Sequence, residues 1–192
     1  MSLSRDSCVR ATLLVALLFA VSPLRLAAQT SVTIVIVVRH AEKAAAPAAD
    51  PPLTEAGIAR AKALVEALAG ADVQAVISTP LVRTRETARP VAEAHGLSVE
   101  TVALGPTVAE HAKAVADAAR KHAGHTVLVV GHSNTVAPII AALGGPKLPD
   151  LCDAQYSMLF TVVLDGTKAR LIQGTYGAAS IDPSGTCAAM KP

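Results

Sequence analysis

The chain has 192 residues, 52% of them hydrophobic but only 2% aromatic, and carries a formal net charge of +2 at pH 7. So small a positive excess argues against a nucleic-acid partner, which is held through many phosphate contacts on a basic face. With no tryptophan, two tyrosines and two phenylalanines, a pocket that stacks bases or sugars is not supported either.

Arg5 and Arg10 precede an unbroken apolar stretch from Ala11 to Val21. That stretch is too short to span a bilayer, which takes about 20 apolar residues, and Leu26-Ala27-Ala28 puts small residues where a signal peptidase cuts. Residues 1–28 therefore read as a secretory signal and residues 29–192 as one domain. The protein is expected in the periplasm or outside the cell, with no membrane attachment after cleavage; an uncleaved anchor is the alternative. The segment takes away three arginines and one aspartate, which leaves equal numbers of basic and acidic residues. Cys8 leaves with it. The remaining cysteines, Cys152 and Cys187, are an even pair that an exported protein is expected to join as a disulfide. No CxxC or HxH spacing accompanies them, so no metal site is expected.

Thr33 to Val38 reads as the first strand, followed by an alanine- and proline-rich loop from Ala44 to Pro52. Thr54 then caps a helix through about Leu68, which Gly70 ends. Val73 to Ser78 reads as a strand, Leu81 to Ala94 as a helix closed by His95-Gly96, and Leu97 to Val102 as a strand. Val108 to His122 is helical, Thr126 to Val130 a strand, and Thr135 to Leu143 a helix stopped by Gly144-Gly145-Pro146. Ser157 to Leu164 and Ala169 to Thr175, joined around Asp165-Gly166, read as an antiparallel pair. This alternation selects an α/β fold: a three-layer sandwich with a mostly parallel central sheet, helices on both faces and a C-terminal antiparallel strand pair.

Ligands of such sheets bind beyond the carboxyl ends of the strands. There the first strand delivers Arg39 and His40, and the strand Thr126 to Val130 ends in Gly131-His132. A third strand end leads through Thr79-Pro80-Leu81 to Arg83 on the first turn of a helix, where the dipole and the arginine both favour an anion.

These residues resemble the histidine phosphatase superfamily, the group that includes cofactor-dependent phosphoglycerate mutases and histidine acid phosphatases. Its Arg-His-Gly-Glu signature stands here as Arg39-His40-Ala41-Glu42, its Ser-Pro-Leu-x-Arg-Ala-x-x-Thr-Ala segment as Thr79 to Ala88, and its second Gly-His as Gly131-His132. The resemblance implies a phosphatase of a small phosphorylated substrate, with no cofactor. His40 would be the nucleophile that carries a covalent phosphohistidine, and Arg39, Arg83 and His132 would bind the phosphoryl group. A general acid of the family falls between the second motif and the second histidine, which points to Glu110. If the leaving group is good, as in a phosphohistidine or acyl phosphate, no strong acid is needed. Glu42 and Asn134 are expected to support the site from behind.

The short span from Arg83 to His132 leaves little room for a closed mutase pocket and favours a compact phosphatase. A phosphate-binding or interaction module that keeps the anion trap without turnover is the alternative. A serine hydrolase using Ser133 fits less well, because no histidine follows Ser133 as the Ser, acid, His order requires. Tyr156 reads as strand packing or as part of the site rim, and His111 as a solvated helix residue or, if Glu110 faces the site, as a residue near it. No feature of the sequence sets an oligomeric state.

Overall fold

The structure, a computed structural model, describes residues 31–180 except Thr167. The signal segment 1–28 and Cys187 lie outside the described residues, so the cleavage site and the disulfide stay expectations. In chain order the elements are β1 (Thr33–Arg39), α1 (Glu55–Ala67), β2 (Val73–Ser78), α2 (Val82–Ala94), β3 (Val99–Thr101), α3 (Val108–Arg120), β4 (Thr126–Gly131), α4 (Val136–Ala142), β5 (Met158–Asp165) and β6 (Lys168–Thr175). None of the described helices is long and apolar enough to cross a membrane.

The six strands form one sheet in the order β3-β2-β4-β1-β5-β6. β3, β2, β4 and β1 run parallel, and β5 and β6 add the expected antiparallel pair beyond β1. The middles of the central strands, residues 35–38, 75–77 and 127–130, are apolar on both faces because both are covered. Val35, Val37, Ile77 and Val129 pack under α3 and α4 through Val115, Ala116, Ile139 and Ile140. Their strand neighbours Ile36, Val38, Val76 and Leu128 face the other way, onto Leu64 of α1 and Val91 of α2. The period of two in each strand thus builds two cores and three layers.

One element is shorter than its pattern suggests. The expected strand 97–102 contributes only three residues to the sheet, because the Leu97 N–H closes the end of α2 on the Ala92 carbonyl (2.8 Å). β3 is also the half-exposed edge, where apolar side chains gain little from pairing.

The segment after β1 is anchored from below. Thr54 caps α1 through the Gly57 N–H (3.1 Å), and Gly57 lets the helix press on the Glu42 backbone, where a Cβ would collide with the Glu42 carbonyl. Arg60 of α1 then grips the Glu42 carboxylate with Nε (2.9 and 3.0 Å) and Nη2 (2.7 Å). Its Nη1 donates to the carbonyls of Tyr176 (3.1 Å) and Ala178 (3.0 Å). One buried guanidinium therefore ties the turn after His40 to the chain following β6.

Gly57→Ala is expected to lower stability by about 1–3 kcal/mol, the usual cost of overpacking. Gly70→Ala, where nothing lies within 4 Å of the added carbon, should cost far less; urea denaturation of the two variants makes the comparison.

Candidate active site

β1 and β4 are neighbours in register, with Arg39 opposite Gly131. Their ends are joined by the His40 N–H donating to the Gly131 carbonyl at 2.9 Å. The next residue of each strand is a histidine, and the two imidazoles stand with centroids 5.4 Å apart, edge to face. Both are buried, at 3% and 8% exposure. Arg39, His40, Arg83 and His132 line one cavity of about 410 Å³, together with the loop 104–108, His111, Ser133, Asn134 and Asp153.

Each histidine is held in one tautomer. His40 Nδ1 lies 2.7 Å from the Ala41 carbonyl, which can only accept, so Nδ1 carries the hydrogen and Nε2 keeps a lone pair. For His132 the chain of hydroxyls decides. Thr84 Oγ1 sits within hydrogen-bond distance of the carbonyls of Thr79 (3.0 Å) and Leu81 (2.8 Å), so its hydrogen goes to them. Thr79 Oγ1 therefore donates to Thr84 Oγ1 (2.8 Å) and accepts from His132 Nε2 (3.1 Å). The turn itself is fixed by Thr135, whose Oγ1 accepts from the His132 N–H at 2.8 Å. Gly131 leaves room for that hydroxyl, since a Cβ would stand 2.9 Å from it.

The arginines are presented by distant parts of the chain. Arg39 Nη1 donates to the carbonyls of Cys152 and Asp153, both at 2.9 Å, and its guanidinium lies 4.1 Å from the centroid of the Tyr156 ring. Arg83 is on the first turn of α2, 3.6 Å from Asp50. Asp50 also receives the Val82 N–H (2.9 and 3.1 Å), so a loop aspartate caps a helix whose own N-cap, Leu81, makes no side-chain bond.

Burial and like charge act together on the imidazoles. Burial first, then Arg39, His132 and Arg83 against an opposing bond to Ala41, pulls the His40 pKa down from 6.5 to about 3. Burial, then Arg83, His111 and Arg39, brings His132 to about 4. Both rings are neutral at pH 7, while the arginines keep the cavity cationic. Such a cavity is complementary to an oxyanion.

Glu42 and Glu110 both lie outside the cavity lining, Glu42 behind it. The Glu42 carboxylate is paired with Arg60 (2.7 Å) and does not line the cavity. Glu110 also turns away. Thr107 caps α3 by accepting the Glu110 N–H (3.2 Å) and donates to its carboxylate (2.8 Å), both bonds exposed. This reciprocal cap is the physical reason that the expected acid is not among the cavity residues. Asn134 lines the cavity from an exposed position, and the turn is held by Thr135. Tyr156 stands at the site, 6.2 Å from His40 between centroids. His111, expected in solvent, is 2% exposed and lines the cavity.

Sequence reasoning passed over Arg60, Thr79, Thr84, Asp50 and Asp153. Asp50 and Asp153 lie in loops without periodicity, and Thr79 occupies the place of a serine in the resembled motif.

Comparisons with known proteins agree with this geometry. Residues 35–104 match the profile of the Histidine phosphatase superfamily (branch 1). The uncharacterized protein Rv0525 of Mycobacterium tuberculosis is 51% identical over 49 residues, 26% of this chain and 24% of that protein. The match thus spans about a quarter of the length of this curated relative. Among solved structures, the protein histidine phosphatase SixA complexed with tungstate superposes with a TM-score of 0.59 at 22% identity, over 74% of this chain and 96% of that one. The mycobacterial glucosyl-3-phosphoglycerate phosphatase Rv2419c gives 0.58 at 17% identity, over 77% and 100%. Bacillus stearothermophilus YhfR gives 0.58 at 20%, over 72% and 95%.

The depressed histidine pKa values have a signed consequence. Each ring binds a proton less readily folded than unfolded, so its contribution to stability is complete above pH 6.5 and is lost as pH falls through the folded values near 4 and 3. Urea midpoints should therefore fall between pH 6.5 and 4, and His40→Asn should flatten that decline. An equally steep decline in the variant would show that other groups are responsible. Residues 35–104 carry the sequence pattern of the histidine phosphatase superfamily (branch 1), and the domain built around them has that superfamily's fold.

Proposed function

We propose that the chain is a phosphatase that hydrolyses a small phosphorylated substrate through a phosphohistidine on His40. The observation that carries this reading is the meeting of two neutral imidazoles and two guanidinium groups around one cavity. Attack on a phosphate ester brings a nucleophile against a centre surrounded by negative oxygens. Arg39 and Arg83 neutralise that charge, and electrostatic stabilisation of this kind is usually the largest catalytic contribution. The Ala41 carbonyl keeps a hydrogen on His40 Nδ1, so Nε2 is the attacking atom, and its low pKa leaves the lone pair free. His132 donates from Nε2, and a second proton at Nδ1 would make it a double donor. A bound dianion favours that charged form, so phosphate binding would draw a proton onto the ring. Water then takes the phosphoryl group from His40.

The solved phosphatases named above are consistent with this activity through fold alone. Export, with residues 1–28 removed and Cys152 joined to Cys187, belongs to the same proposal and suits a hydrolase rather than a mutase of phosphorylated metabolites. The position of Glu110 in a helix cap favours a second reading, an anion-binding module without turnover.

Hydrolysis of 2,4-dinitrophenyl phosphate separates the two. Turnover should be abolished by His40→Ala, and an acid-labile phosphate should be trapped on His40 in the wild type. Binding of orthophosphate with no hydrolysis would establish the module instead. Arg83→Met should reduce kcat/KM by about 100-fold, the scale of one lost oxyanion donor. Thr79→Val should move the pH profile of kcat/KM while Thr79→Ser preserves it, because only the hydroxyl fixes the His132 tautomer.

A further inference from the structure

Arg39, His40, Arg83 and His132 all serve the phosphorus and its oxygens, which leaves the departing oxygen of an ester without a partner. A positioned acid at that atom is typically worth about 10²–10⁴-fold. Of the other ionisable groups lining the cavity, Lys43, His111 and Asp153, the Asp153 side chain is 98% exposed and its carboxylate faces Arg39 at 3.5 Å. Lys43 is exposed at the rim. His111 is unlike either. Its backbone N–H is fixed on the Thr107 carbonyl at 3.0 Å, and its Nδ1 lies 3.0 Å from the carbonyl of Ala103. A carbonyl only accepts, so Nδ1 carries a hydrogen in either charge state and the exchangeable proton is confined to Nε2. That Nε2 is buried and has no hydrogen-bond partner among the described residues. An orphaned buried nitrogen costs free energy, and one that persists in a site calls for a functional reason. His111 and His132 line the same cavity, and a charge on one disfavours a charge on the other.

We propose that His111 is the proton donor to the leaving oxygen, and that the site therefore accepts phosphomonoesters of unactivated alcohols; the assignment rests on the phosphatase reading above. In the first step the bond from His40 Nε2 to phosphorus forms as the ester P–O bond breaks. The Nε2 proton of the His111 imidazolium passes to the departing oxygen, and the ring becomes neutral with its hydrogen on Nδ1. In the second step water attacks the phosphorus and gives a proton to His111 Nε2 as the P–N bond breaks. Orthophosphate leaves, His40 recovers its lone pair, and His111 recovers its charge.

Asparagine is the informative replacement, because its amide N–H₂ can keep the bond to Ala103 while Nε2 is removed. In the full chain, His111→Asn is expected to lower kcat/KM about 100-fold for ethyl phosphate but less than about 5-fold for 2,4-dinitrophenyl phosphate, whose phenolate leaves without a proton. Glu110→Gln, altered only in the helix cap, should keep the wild-type dependence on leaving group. Equal losses on both esters, or no loss on ethyl phosphate, would overturn the assignment. So would a selective loss in Glu110→Gln instead. A uniform loss together with lost orthophosphate binding, measured by calorimetry, would mark His111 as structural and overturn it too. If the wild type hydrolyses neither ester, the phosphatase reading falls with it; hydrolysis that needs His40 but ignores His111→Asn sinks this assignment alone.

Discussion

The bond from the His40 N–H to the Gly131 carbonyl carries the rest of the site, because it continues the β1–β4 ladder one step past the sheet. Parallel strands in register end at the same height, so the residues that follow them leave the sheet together. A slip of one residue would turn Arg39 and every apolar partner of β1 to the opposite face. Val35 and Val37 pack into one core and Ile36 and Val38 into the other, which holds β1 in the middle of the sheet. The two hydrophobic cores thus hold the distance between the imidazoles, even though neither core touches a substrate.

Charge in the cavity is arranged with a surplus. Two arginines stand near two buried histidines, and the nearest carboxylates are occupied or outward: Glu42 by Arg60, Asp50 by the start of α2, Asp153 in solvent beside Arg39. Burial first, and this surplus second, keep both imidazoles neutral at pH 7. An oxyanion in the cavity would reverse the balance by pairing with the arginines that disfavour a proton on His132. The lowered pKa values of the two rings share one origin, burial beside cationic groups.

Backbone carbonyls do much of the work of orienting the rings. Ala41 and Ala103 each take the Nδ1 hydrogen of a histidine, and the carbonyls of Thr79 and Leu81 end the hydroxyl chain from His132. A carbonyl cannot donate, so these contacts leave no ambiguity about where hydrogens reside, and side-chain replacement at the alanines themselves would not remove them. Segments far apart in the chain close the cavity by the same means, with Cys152 and Asp153 holding Arg39 by main-chain oxygens.

The strands and helices were legible in residues 33 to 175 because apolar periodicity and Gly or Pro stops are local properties. The motif residues Arg39, His40 and His132 were legible because they sit where strands end, and Arg83 because it opens the helix that follows one; strand ends of a parallel sheet share one edge. Other roles depended on contacts outside the strand-end pattern. Glu110 has the residue type of an acid, yet a threonine three positions earlier claims its carboxylate for a cap; His111 has the look of a surface residue, yet the loop from Ala103 to Thr107 folds over it. Sequence alone determined the layered fold and the chemical character of the site, since both arise from side-chain type at fixed spacing. Only the tertiary structure decided which polar groups face the cavity and how the arginines are held, because the arginines are fixed by partners more than a hundred residues away, Arg39 by Cys152 and Arg60 by Tyr176.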